Sequence, residues 1–182
     1  MASIETEFTP NPHSLKFNVN QVLLEKGTLF FTEPSQAAAS PLAQRPLKVP
    51  FVREVLIGHD FVTVSRDPAA ETWAVVIPSV SRILEEHLKS GKPAVEGPAA
   101  EGPAGGQSDV EVRIRQVLDE KVRPAVAKDG GDITFYGFKD GVVTLHLRGA
   151  CSTCPSSMAT LKAGVERILC EAVPEVREVV QL

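Results

Sequence analysis

Apolar residues recur along this chain in two rhythms, one of period two and one near 3.6, and a stretch with neither divides them into two sets. In the first set, Leu15-Lys16-Phe17-Asn18-Val19 alternates apolar and polar positions, which predicts a half-buried strand. Thr28-Leu29-Phe30-Phe31 is its expected partner strand, across a loop containing Gly27. Residues 1–14 read as irregular, because Pro10-Asn11-Pro12-His13-Ser14 forces extended or turn geometry. Ser40-Pro41 is a cap followed by proline and starts a short helix, which Pro46 or Pro50 should interrupt. Phe51–Ile57 and Phe61–Ser65 flank Gly58-His59-Asp60 and predict a hairpin. Val80, Ile83, Leu84, His87 and Leu88 then recur at helical spacing, with Pro78 in the first turn and Gly91 at the end. The first unit, residues 1–91, is thus expected to be a small α+β domain.

Residues 92–107 lose all periodicity and turn to proline, glycine, alanine and glutamate, as in a flexible linker between units that move relative to one another. The second unit, residues 108–182, opens on a capping-box pattern, Ser108-Asp109-Val110-Glu111. Val110, Ile114, Val117, Leu118 and Val122 share a helical face, and Pro124 should end that helix. Asp129-Gly130-Gly131-Asp132 reads as a sharp turn. Strands Ile133–Phe138 and Val142–Leu147 follow, joined by Lys139-Asp140-Gly141. A helix from Pro155 to Ala172 and a strand Val176–Leu182 close the chain. The order is α-β-β-α-β, a layer of helices on a three-stranded, partly antiparallel sheet. The expected fold class is α+β, in two small two-layer domains.

Composition narrows the function more than the fold. The chain has 182 residues, 43% apolar and 23% charged, the balance of an ordinary globular protein. The net charge of −4, without a lysine or arginine block, speaks against a nucleic-acid or anionic-membrane surface. No apolar run approaches membrane-spanning length. The acidic start Met1-Ala2-Ser3-Ile4-Glu5-Thr6-Glu7 lacks the features of a signal peptide, so a cytoplasmic protein is expected, although a cleaved organellar presequence would leave the same start. Three cysteines form no disulfide framework.

The chemistry concentrates at Cys151-Ser152-Thr153-Cys154-Pro155, between a strand pattern and a helix pattern. Proline is tolerated at a first helical position, so both thiols are expected in a loop at a helix N-terminus, where the dipole favours the thiolate. Gly149 permits a bend that brings both sulfurs to one side. A four-thiolate zinc or iron–sulfur site needs more ligands than this pair, and Cys170 lies far along the next helix. Two chains related by a two-fold axis would supply four. The residues alone leave open a shared soft-metal or cluster site, a redox pair and an incidental capping loop. Asp129, Gly130, Gly131 and Asp132 read as a plain turn, with aspartates capping backbone N–H groups, more readily than as a device placing the cysteine loop. His146 is expected on a solvated strand face, Cys170 as a small filler or half-exposed thiol, and Trp73 as a core or hinge aromatic. His13, His59 and His87 are scattered singly, without a hydrolytic triad, and no phosphate-binding glycine motif appears.

These residues carry a resemblance. Arg123-Pro124, Asp129-Gly130-Gly131-Asp132, Gly149-Ala150-Cys151-Ser152-Thr153-Cys154-Pro155-Ser156-Ser157 and Val173-Pro174-Glu175-Val176 resemble the NifU C-terminal-like (Nfu) domain of iron–sulfur cluster assembly proteins. Thr9-Pro10-Asn11-Pro12, Ser14-Leu15-Lys16-Phe17, Ser40-Pro41-Leu42-Ala43 and Gly58-His59-Asp60-Phe61-Val62-Thr63-Val64 are similar to the N-terminal domain of two-domain Nfu proteins. The resemblance implies a scaffold or carrier rather than an enzyme. It implies a [4Fe–4S] cluster, alternatively [2Fe–2S], held by Cys151 and Cys154 of two protomers and passed to apo-proteins after loading by a donor. The N-terminal domain is then expected to recognise targets or partners. Rival readings are a thiol–disulfide oxidoreductase, which the single strand left after the motif helix opposes, and a structural zinc site shared by a dimer. With both cysteines in a loop outside the core, alanine at either is expected to remove the cluster and keep the fold.

Overall fold

The hairpin expected around Gly58 forms and becomes the middle of a five-stranded sheet. Strands β1 (Ile4–Phe8), β2 (Ser14–Val19), β3 (Leu29–Phe31), β4 (Val52–Ile57) and β5 (Phe61–Arg66) are arranged β1-β2-β5-β4-β3, all antiparallel. This computed structural model describes residues 4–70, 72–96, 108–152 and 155–182, with the backbone alone for 155–158. The chain divides into two units at residue 100, each with its own core.

In the first unit, β2 does not pair with β3 as expected. Its neighbours are β1 and β5, with Leu15 opposite Val64 and Phe17 opposite Val62. Strand β5 is buried on both faces, so it belongs at the centre, and β3 is left to the far edge against β4. The supposedly irregular start contains β1, a mostly exposed edge strand whose Glu7 reaches Lys16 and Asn18 of β2. Helix α1 (Pro41–Leu47) is capped by Ser40, whose hydroxyl accepts from the Ala43 N–H at 3.3 Å, and it runs one residue past Pro46. Helix α2 (Val76–Ser90) ends at Gly91, whose φ of 66° is the left-handed conformation such a terminus requires.

Residues 92–96, expected as linker, pack onto this unit instead. Ala94 is buried in its core, the Ser40 hydroxyl donates to the Ala94 carbonyl at 2.7 Å, and the Glu96 N–H donates to the Ala39 carbonyl at 2.7 Å. One buried serine thus serves both the α1 cap and this returning strap. His87 of α2 is only 5% exposed. Burial lowers its proton affinity, the Pro93 and Lys92 carbonyls oppose that, and the Arg45 and Lys92 charges add to it.

The second unit begins with the expected capping box. The Ser108 hydroxyl accepts from the Glu111 N–H at 3.3 Å, and the Glu111 carboxylate accepts from the Ser108 N–H at 3.0 Å. Helix α3 (Asp109–Val117) does not stop before Pro124. It widens into a π-turn (Leu118–Val122) and continues as α4 (Arg123–Lys128). The wide turn lets proline enter in the first turn of α4, where its missing N–H has no required partner. Strands β6 (Gly131–Lys139) and β7 (Val142–Gly149) form a hairpin around Asp140 and Gly141, whose positive φ angles of 53° and 85° suit its right-handed twist. Helix α5 (Pro155–Ala172) returns the chain to β8 (Glu178–Gln181), parallel to β7 and shorter than the strand expected from Val176. Ile114, Leu118 and Val126 of the first helices meet Ile133, Phe135, Leu145 and Leu147 of the sheet and Val165 and Leu169 of α5. The strands lie in the order β6-β7-β8, and the α-β-β-α-β succession and the partly antiparallel three-stranded sheet are those expected. Among the described residues, no helix is long and apolar enough to cross a membrane.

Because the His87 ring binds its proton less readily when folded than at its ordinary value of 6.5, the unfolded chain takes up protons first as pH falls. The first unit should therefore keep this stability above pH 6.5 and lose it on acidification toward the lower folded value. Urea titrations between pH 7.5 and 5 should show the midpoint falling, with a smaller fall in His87→Gln.

Candidate cluster-binding turn

Everything around Cys151 follows from the open end of the β6–β7 hairpin. The two strands stay paired to their last residues, so Gly131 lies opposite Gly149 and Asp132 opposite Arg148. Helix α4 stops one turn earlier through Gly130, at φ 75°, whose N–H donates to the Ala127 carbonyl at 3.0 Å. Gly149, at φ 66°, then turns β7 into the cysteine stretch. Hydrogen bonds fasten the turn. The Ala150 N–H donates to the Gly130 carbonyl at 3.2 Å, and the Ser152 N–H and hydroxyl donate to the Gly149 carbonyl at 3.1 and 2.8 Å.

Cys151 is not outside the core as expected. It is 4% exposed and packs with the second unit's apolar cluster. Its sulfur lies over the Cα of Gly131: a β-carbon there would stand 2.4 Å from Sγ and 3.0 Å from the cysteine β-carbon. That approach excludes any residue but glycine unless the cysteine moves. Cys154 and Thr153 lie outside the described residues, so the geometry assigned to the pair is described for Cys151 alone. Helix α5 does begin at Pro155, directly after the motif.

The Asp-Gly-Gly-Asp run is more than a plain turn. Asp129 and Gly130 end α4, but Gly131 and Asp132 are already in β6. The Asp132 side chain, 5% exposed, faces Arg123, whose Nε lies 3.6 Å from its carboxylate. The same guanidinium donates from Nε to the Ile133 carbonyl at 3.2 Å and meets Asp119 at 3.0 Å through Nη1. Arg123 therefore ties the π-turn to the first residues of β6, one residue from the floor under Cys151. Reading the residues for chemistry passed over this arginine; the Arg123-Pro124 pair in the resemblance was its one signal. It was missed because its role depends on a π-turn with no local sequence mark.

His146 lies with Thr144 and Arg148 on the strand face away from the core, as expected, and is half-buried. Burial, then the Arg148 charge, lowers its proton affinity. Cys170 is half-buried against the second core. Trp73 packs beside the first core, donates from Nε1 to the Pro12 carbonyl at 3.3 Å and is stacked by Arg66. Among the described residues, no three histidine, cysteine or acidic side chains gather to hold a metal ion. One chain thus brings to the turn the thiol of Cys151 and, by sequence, that of Cys154.

Comparison with known proteins covers both units. Residues 114–180 match the NifU-like domain, and residues 4–91 match the family described as scaffold protein Nfu/NifU N terminal. The human NFU1 iron-sulfur cluster scaffold homolog, mitochondrial, is 40% identical over 181 residues, covering 98% of this chain and 71% of the relative. Its namesake in Drosophila virilis is 40% identical over 183 residues, with 98% of this chain and 61% of the relative covered. The chain thus spans under two thirds of the length of that fly relative. Among solved structures, the NifU-like protein from Saccharomyces cerevisiae aligns with a TM-score of 0.49 at 25% identity, over 54% of this chain and 87% of that one.

The arginine clamp yields a stability test. Arg123→Gln removes the guanidinium that faces the buried Asp132 carboxylate and donates to the Ile133 carbonyl, and should cost about 1–2 kcal/mol. Urea unfolding of the full chain should show the loss in the second unit's transition, and Arg123→Gln with Asp132→Asn together should recover part of it.

Proposed function

Since this chain belongs to the two-domain Nfu/NifU-like family of iron–sulfur cluster scaffold proteins, we propose that it carries a [4Fe–4S] cluster between the Cys151 and Cys154 thiolates of two protomers and delivers it to apo-proteins. The observation that carries the reading is the ligand deficit at the turn. Two thiols per chain stand in the motif, and no other metal-ligating cluster is found among the described residues. A tetrathiolate site therefore needs a second copy, and a two-fold axis supplies it. A [2Fe–2S] cluster would suit the same four sulfurs and is the alternative cargo.

The chemistry is ligand exchange rather than catalysis. A donor loads the cluster; a target thiolate displaces Cys151 or Cys154, the displaced sulfur takes up a proton, and separation of the protomers completes release. Nothing in the charge pattern calls for nucleic acid or membrane. The division into a first domain at residues 1–91, a linker and a cluster-binding domain at 108–182 belongs to the same reading, shortened by the strap at 92–96. The first domain recognises partners, and the linker lets the second meet targets of different shapes. A reducing compartment would keep the two thiols available, and the relatives carry mitochondrial names.

The test is anaerobic reconstitution with ferrous iron and sulfide, followed by absorption, iron and sulfide analysis and native mass. The expected product is a brown dimer with about four iron and four sulfide per dimer. A colourless dimer that retains only zinc, or a monomer with a full cluster, would overturn the reading. Cys151→Ala and Cys154→Ala should each abolish the bound cluster. Because Cys151 is in the core, its alanine variant should also lose about 1 kcal/mol of stability while remaining folded.

A further inference from the structure

Arg66, the last residue of β5, is a cation without a counter-ion among the described residues. It is half-buried, its Nε is buried with no hydrogen-bond partner, and its Nη1 makes only a 3.4 Å contact with the Asp67 carbonyl. The neighbouring carboxylate is already engaged: Asp67 accepts from the Arg53 Nε at 2.9 Å and from the Ala69 N–H at 2.9 Å. We propose that Arg66, stacked on Trp73, anchors a docking surface on the first unit for a partner-protein segment that carries a carboxylate side chain between apolar residues. The proposal deepens the partner recognition assigned above to the first domain and rests on that reading.

The fold holds this arginine in place. Ser14 lies opposite Ser65 in the β2–β5 pair, and the Arg66 N–H donates to the His13 carbonyl at 2.8 Å, so Arg66 and His13 continue the same register. By the alternation of a strand, both side chains share the sheet face of Leu15 and Val64, at the end where β5 leaves the sheet. Trp73 closes the arrangement from the segment before α2. Its ring lies 5.3 Å from the guanidinium, and its Nε1 donates to the Pro12 carbonyl at 3.3 Å. A guanidinium held over an indole has already given up rotamer freedom, so pairing with a carboxylate costs it little more. The His13 ring beside it likewise has a buried Nδ1 without a partner.

Apolar groups complete the surface. The Phe51 carbonyl accepts from the Asp67 N–H at 2.8 Å, which places Phe51 beside the residue after Arg66. This aromatic is 54% exposed and has a φ of 73°, a left-handed conformation unfavourable for a residue with a β-carbon. Val75, two residues past Trp73, is 48% exposed. Aromatic rings and an incompletely solvated arginine are the groups that dominate binding where a partner excludes water. The charge missing at this end of the sheet is negative, which selects an acidic segment over a neutral or basic one.

Trp73 is the single tryptophan of the chain, so its fluorescence reads this surface directly. The probes are acetyl-Ser-Phe-Glu-Leu-Ser-amide and its Gln counterpart, each titrated into the metal-free full chain. The acidic peptide should give a saturable change in Trp73 emission with a dissociation constant on the order of 1 mM or below. The Gln peptide should bind at least about tenfold more weakly. Raising the salt from about 0.05 to about 0.5 M should weaken the acidic peptide several-fold. Arg66→Gln should abolish the preference for the acidic peptide, and Phe51→Gly, which keeps the left-handed backbone, should weaken both peptides. No response, or equal responses to the two peptides, would overturn the proposal. So would an equal response to acetate or inorganic phosphate, which would mark a small-anion site. Emission that changes with protein concentration alone would give the surface to a second copy of the chain and overturn it as well. If Arg66→Gln does not fold, the two peptides in the unsubstituted chain still decide. Acidic-peptide binding by a protein that fails to reconstitute would uphold the surface and overturn only the carrier reading; a brown dimer indifferent to the peptides would do the reverse.

Discussion

The second unit is built around one close approach: the sulfur of Cys151 against the backbone of Gly131. For that contact to exist, β6 and β7 must remain paired to the open end of their hairpin, which sets Gly131 facing Gly149. Helix α4 must also end in time to deliver the chain to β6, and the left-handed Gly130 does so. The π-turn ahead of α4 then sets Arg123 where it can hold Asp132 and the Ile133 carbonyl. A helix without that extra residue would rotate Arg123 by about a quarter turn, on the 3.6-residue geometry of an α-helix, and lose these contacts. Helix irregularity, strand register and two glycines thus converge on one thiol.

Under the proposed carrier role, that convergence bears on why part of the binding apparatus would be buried. A site that displayed its thiols permanently would bind cargo tightly and oxidise readily, both unhelpful in a protein that passes the cargo on. On the proposed reading, two motif thiols per chain would make retention depend on a second copy. The first unit has a core of its own.

What could be read from the residues was largely what is local. The capping box at Ser108, the Gly91 terminus, the Asp140-Gly141 turn and the helix beginning at Pro155 all rest on neighbours within a few positions, and all are found. What escaped depends on distant parts of the chain. Pairing β3 with β4 rather than β2 requires knowing that β5 is buried on both faces. The strap at 92–96 is held by Ser40, more than fifty residues earlier. Pro124 looked like a stop because the π-turn that accommodates it has no signature. At the site, the cysteine motif itself was plain, whereas the burial of Cys151 and the reason for Gly131 emerge only once two strands are aligned. The glycine pair carried the signal, but its turn-forming capacity was the simpler explanation of it.

Position 151 is consequently subject to two independent selections. As a piece of the core it must be small and apolar, which alanine satisfies and histidine does not. As the iron ligand proposed above it would have to offer a soft or borderline donor, which histidine satisfies and alanine does not. Serine has the size but brings a hard oxygen and an unmet hydrogen bond into the packing. Of the twenty common side chains, only the thiol meets both requirements; were iron not to be held here, alanine would satisfy the packing and sulfur would have no further claim on the position.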